Sequence, residues 1–138
     1  MKIHSTNYFN TLVEIAEDSP VAIAEVPPLK KDKKSVANLQ FEMVNKHPYQ
    51  YTSDDVFFSV YAEKQGLTVG ELEKARAEFF SKGQPCFRAS PLTKRYGWGV
   101  HSNENGKVAL VAVGSDEYEK FQADSSVAKT KAMRFKRA

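Results

Sequence analysis

Cysteine is almost missing from this chain: Cys86 stands alone among 138 residues. One thiol cannot close an internal disulfide, and no Asn-x-Ser/Thr acceptor for glycosylation occurs. Both absences point to a reducing, cytoplasmic setting. Long apolar runs are missing too. The longest, Val108 to Val113, is far too short to span a bilayer, and Met1 to Asn10 lacks the apolar core of a secretory signal, so no membrane partner is expected. Neither G-x-x-x-x-G-K-[ST] nor G-x-G-x-x-G is present, and Gly97-Trp98-Gly99 lacks a third glycine and a following helix. His4, His47 and His101 lie far apart in sequence and have no cysteine pair beside them, so no metal and no cofactor is expected.

What is present describes an ordinary globular chain. Its hydrophobic share of 41% and aromatic share of 12% suffice for one core, and residues 1–138 are expected to form one α+β domain. The net charge of +3 is small but unevenly spread. Lys129, Lys131, Arg134, Lys136 and Arg137 make a basic tail near 129–138, which leaves −2 on the remainder.

Alternation through Phe9, Thr11, Val13 and Ile15 predicts a strand near 9–16. Residues 17–34 hold three prolines and the run Lys30-Lys31-Asp32-Lys33-Lys34, which reads as an extended connection. Three helices follow. Ser35 caps one near 36–46 carrying Val36, Leu39, Met43 and Val44. Thr52 and Asp55 open one near 53–65 with the stripe Val56, Phe57, Val60 and Tyr61. Thr68 and Glu71 repeat the device before 69–82. The two latter helices resemble a helix-turn-helix, but Glu71, Glu73 and Glu78 make the second unsuited to meeting phosphates.

Beyond Gly83 the pattern turns to strands near 86–89, 97–102, 107–113 and 127–135, with a short helix near 116–122. Asn105-Gly106 is the strongest hairpin signal, and a mainly antiparallel sheet is expected. An even-numbered loop there places Trp98 and Val100 on one face with Val111 and Val113. Gly97, Gly99 and His101 then form a bare strip on the other, open to a ligand, a second backbone or a packed helix. A three-residue loop exchanges these partners.

Acidic residues are absent from Phe79 through Asn103, where composition alone predicts about three. Within that stretch Arg88, Lys94, Arg95, Tyr96, Trp98 and His101 combine cations with rings, the chemistry that grips phosphate, carboxylate or an unpaired nucleic-acid strand. The competing reading makes the rings core and the cations partners of helix carboxylates. Cys86 and His101 form the one thiol–imidazole pair with a spatial argument, since their strands are expected to be neighbours.

The strings Asn7-Tyr8-Phe9, Val36 to Met43, Pro48 to Val56 and Phe79 to His101, continuing to Lys136-Arg137-Ala138, resemble a domain-of-unknown-function family of small bacterial and fungal proteins. The resemblance spans nearly the whole length and implies no activity, cofactor or catalytic residue. Three functions are therefore expected in order. The first is a binding module for an anionic small molecule or nucleic-acid strand through residues 86–101. The second is a small-molecule enzyme using Cys86 or His101. The third is an interaction protein, such as a homodimer joined through an exposed sheet face.

Overall fold

The computed structural model describes residues 3–136. Four strands form one mixed sheet in the order β3-β2-β1-β4: β1 is Thr11–Glu14, β2 Trp98–Ser102, β3 Val108–Ala112 and β4 Ala128–Lys131. Strands β1 and β3 each run antiparallel to β2, whereas β4 lies parallel to β1. The exception follows from chain geometry. The helix α5, Asp116–Ala123, carries the chain from β3 back across the sheet, and such a crossover returns a strand in its original direction. The fold is α+β with a mostly antiparallel sheet.

The helices start where local chemistry satisfies their free N–H groups. Ser35 opens α1 (Val36–Lys46) through a reciprocal cap with Asn38. Thr52 and Asp55 do the same for α2 (Ser53–Gln65), each cap contributing about 1 kcal/mol. At the third start, the Glu71 carboxylate accepts from the Thr68 N–H and hydroxyl. There the first turn, Val69–Glu71, is a 3-10 turn, and α3 proper runs only from Leu72 to Phe79.

Two expected strands are corrected. Residues 86–89 form no strand: Phe87–Ala89 is a 3-10 turn, followed by the one-turn helix α4, Pro91–Lys94. The Cys86 carbonyl accepts the Ala89 N–H, Ser90 Oγ caps Leu92, and Thr93 Oγ1 donates to the Phe87 carbonyl. Those groups are used locally and cannot join a ladder. The strand placed near 127–135 contracts to Ala128–Lys131, after which the Phe135 and Lys136 N–H groups donate to the Asp18 carboxylate. Arg137 of the basic tail lies outside the described residues.

The β2–β3 hairpin has a three-residue loop. Asn103 pairs backbone with Lys107, Asn103 Oδ1 accepts the Asn105 and Lys107 N–H groups, and Gly106 takes the left-handed φ of 78° that this turn requires. Trp98 therefore pairs with Ala112 and Val100 with Leu110, not with Val113 and Val111.

Both sheet faces are covered. Val13, Val100 and Val108 pack with Ala37, Val44, Val56, Phe87 and Leu92 from α1, α2, the 3-10 turn and α4. On the opposite face Leu12, Gly99, His101, Ala109 and Val111 are buried, with Tyr118 and Phe121 of α5 set against Gly99 and His101. The open sheet face on which the homodimer expectation rested is thus occupied by α5.

Candidate functional site

The six cationic and aromatic residues of segment 86–101 do not meet in one concavity. Arg88 Nε donates to the Lys131 carbonyl at 2.7 Å, beside the end of β4. Lys94 is half-buried in α4. Arg95 Nη1 stands 3.5 Å from Glu25 Oε1, within ion-pair range but outside hydrogen-bond geometry, and its guanidinium lies over the Tyr96 ring at 5.0 Å. Trp98 packs against Phe41 and donates Nε1–H to the Glu25 carbonyl at 2.8 Å. The contacts of Arg95 and Trp98 with Glu25 hold the 17–34 connection beside β2.

His101 is on the other face. Its ring stacks on Phe121 at 3.8 Å, nearly parallel, and Nδ1 lies 2.8 Å from the Tyr49 hydroxyl. Burial lowers its pKa, with Asp124 and Glu117 opposing that shift. The glycine strip is closed as well, because Tyr118 sits against Gly99. Cys86 is not on a neighbouring strand. Its sulfur faces the helical side, so the Cys86–His101 pair is divided by the sheet.

What the structure does assemble is a hollow of about 370 Å³ between α1, α2 and residues 85–91. Helical spacing explains its walls. Val36 and Gln40 are one turn apart on α1, and Phe57, Val60, Tyr61 and Lys64 recur at i, i+3, i+4 and i+7 on α2. Pro85, Cys86, Ala89, Ser90 and Pro91 supply the third side, which exists only because this segment turns instead of extending. Its volume falls in the range of small-molecule pockets.

The lining is mostly apolar with a few polar groups. Gln40 is only 1% exposed, and its Oε1 accepts from Ser90 Oγ at 2.6 Å. Ser90 Oγ itself accepts from the Leu92 N–H, so its proton is directed to Gln40. Gln40 is thus the polar side chain that α1 brings to the wall, anchored to Ser90 on the facing segment. Lys64 is the one charged lining residue; its Nζ donates to the Lys34 carbonyl at 2.7 Å, and no described carboxylate pairs with it. The Tyr8 hydroxyl lies 3.4 Å from Cys86 Sγ. Burial, then the hydrogen bond and charge of Cys86, push the Tyr8 phenol up to about 12, with Arg88 pulling against them.

A larger hollow, about 580 Å³, lies between α2 and α3, but its one cation is already used: Arg76 bonds Asp55 at 3.0 Å and covers Phe58, which leaves Glu73 as the other charge of the lining. Asp54 is committed to the fold, accepting from the Ser5 hydroxyl and from the N–H and hydroxyl of Thr6. Among the described residues no three His, Cys, Asp or Glu side chains gather as a metal site, and no helix is long and apolar enough to cross a membrane.

The hollow's α2 side was visible in sequence only as a helix stripe, which reads as core. Gln40 carried the better signal: a polar residue about one turn from both Val36 and Val44, on an otherwise apolar flank. The fold and this hollow define a small α+β domain with a ligand-sized cleft. The chain belongs to the family described as a family of unknown function (DUF6157), whose model matches residues 3–138. No curated protein and no solved structure matches it.

Proposed function

We propose that this protein is a binding domain for a small amphipathic anion, an apolar body bearing one acidic group, held between α1, α2 and the 85–91 turn. The observation that carries the reading is the composition of the hollow: mostly apolar walls and a single cation, Lys64, at the rim. Apolar walls favour desolvation of a hydrocarbon body, while Lys64 favours a negative charge. The anionic ligand expected from segment 86–101 is kept, with its seat moved to the part of that segment which faces the helices.

Calorimetric titration with decanoate and with decanol tests this. Decanoate is expected to bind more tightly than decanol. Lys64→Gln is expected to shrink that preference by about 2- to 5-fold, the size of an exposed charge contact. Val36 is 42% exposed at the hollow's edge, so Val36→Trp blocks the entrance without entering the core and should abolish binding of both. Failure of both ligands to bind the native chain, or unchanged binding to Val36→Trp, rejects the reading.

A further inference from the structure

The connection between β1 and α1 exposes apolar side chains in a regular order. From Val21 to Leu29 the chain forms no helix or strand, and its burial repeats every three residues. Val21, Ala24 and Pro27 are the more covered set: Val21 and Ala24 lie against Gly97, and the Pro27 carbonyl accepts from Asn38 Nδ2. Ile23, Val26 and Leu29 form a second row at the same spacing, 77%, 64% and 54% exposed, and none of them lines either hollow described above. A chain with three residues per turn, as in polyproline II, puts each such set on one side, and Pro27-Pro28 favours that form.

The row runs into a basic turn. The Lys33 N–H donates to the Lys30 carbonyl, and Lys31 and Asp32 between them have left-handed φ of 50° and 58°. Two successive left-handed residues make a tight hairpin turn, a form that Asn and Gly enter more readily than Lys. Lys30, Lys31 and Lys33 are exposed, and no described carboxylate pairs with them. Of the nearby acids, Glu25 faces Arg95 at 3.5 Å and Glu42 binds Lys34 at 2.9 Å, which leaves Asp32 as the one acid of the turn itself.

We propose that this row and turn dock the protein on an anionic lipid bilayer. Ile23, Val26 and Leu29 enter the boundary between headgroups and acyl chains, and Lys30, Lys31 and Lys33 meet the lipid anions. Nucleic acid would use the lysines but leave the apolar row in water, whereas a bilayer satisfies both at adjoining depths. Docking on a surface needs no spanning segment, so the lack of a long apolar helix bears only on a helical span. The row and turn lie outside the lining of the hollow, so the proposal goes beyond the ligand reading and does not rest on it.

Flotation of the native chain with phosphatidylcholine vesicles, alone or with about 30% phosphatidylserine, tests this. Three lysines less Asp32 leave two net charges, each contributing about 5-fold near such a surface. Anionic vesicles are therefore expected to bind about 25-fold more tightly than neutral ones at about 0.1 M salt. Lys30→Gln, Lys31→Gln and Lys33→Gln together should remove that preference. Ile23→Ser with Leu29→Ser, at exposed positions where the urea midpoint should not change, should weaken binding to anionic vesicles about 10-fold. Equal affinity of the native chain for the two vesicle types, or no binding to either, overturns the proposal. A serine pair that binds anionic vesicles as tightly as the native chain also overturns it. The lysines are then a general polyanion site, which equal retention of both chains on single-stranded DNA would identify.

Discussion

Alanine at position 99 gives the sharpest test of how the sheet and α5 fit together. A Cβ built there stands 2.7 Å from Tyr118 Cε2, 3.1 Å from Cδ2 and 3.2 Å from the Val13 carbonyl oxygen. Carbon atoms rest at about 3.5–4.0 Å, so the ring must withdraw by about 1 Å while the backbone oxygen on the other side cannot move. Tyr118 is 4% exposed, and its hydroxyl accepts the Ile15 N–H at 3.0 Å. Overpacking of this kind costs about 1–3 kcal/mol, and loss of the Tyr118–Ile15 bond adds about 1 kcal/mol. Gly99→Ala is therefore expected to destabilise by about 2–4 kcal/mol. At this chain length each kcal/mol lowers Tm by about 3–5 °C, so the midpoint should fall by about 6–20 °C. Urea denaturation is the assay, read as a lower midpoint at unchanged slope. In a Tyr118→Ala background the clash is gone, and alanine at 99 should then cost less than about 1 kcal/mol. A Gly99→Ala protein within about 0.5 kcal/mol of the native chain, or one whose penalty persists without the Tyr118 ring, refutes the argument.

Acid should weaken the fold through His101. Its folded pKa lies below the ordinary value of 6.5, chiefly because of burial, so the unfolded chain binds the proton more readily. The stabilisation is complete above about pH 6.5 and is lost as pH falls through the folded value. Urea midpoints at pH 5.5 and 7.5 should differ more for the native chain than for His101→Gln, and equal differences would exclude His101 as the source. Asp54→Ala removes acceptors for Ser5 and Thr6 and should cost about 1.5–3 kcal/mol, with the Thr6 amide losing protection in hydrogen exchange. Leu92→Ala, at a fully buried position, should cost about 2–5 kcal/mol in the same denaturation assay. Glu25→Gln, by contrast, should change stability by less than about 1 kcal/mol, since the Glu25–Arg95 pair is half-exposed and loosely aligned.

The misread positions share a cause. The Cys86 to Ala89 run has strand-like composition, but Pro85 and Pro91 bracket it, and Ser90 and Thr93 offer nearby side-chain partners, so a turn won over an extended form. The hairpin register depended on Asn103 Oδ1, whose two bonds select three loop residues over two. Asn-Gly announces a hairpin without saying which loop length its neighbours will stabilise. The acid-free stretch was a real feature of the sequence. Its residues dispersed because Trp98 and His101, three apart on β2, point to opposite faces, while Arg88 lies on the 3-10 turn and Lys94 and Arg95 at the end of α4.

The existence of α1, α2, α3 and α5 was written in the chain itself. Ser35, Thr52 and Ser115 accept from N–H groups three residues away, and the apolar stripes repeat every three or four positions, all within one or two turns of local sequence. The parallel placement of β4 beside β1, the seating of Tyr118 on Gly99 and the enclosure formed by Gln40, Phe57 and Cys86 depend on residues brought together from distant parts of the chain. Local hydrogen bonds act over a few residues and can be read in order. Packing joins surfaces whose partners are chosen only when the chain closes on itself, and the candidate site belongs to that second kind.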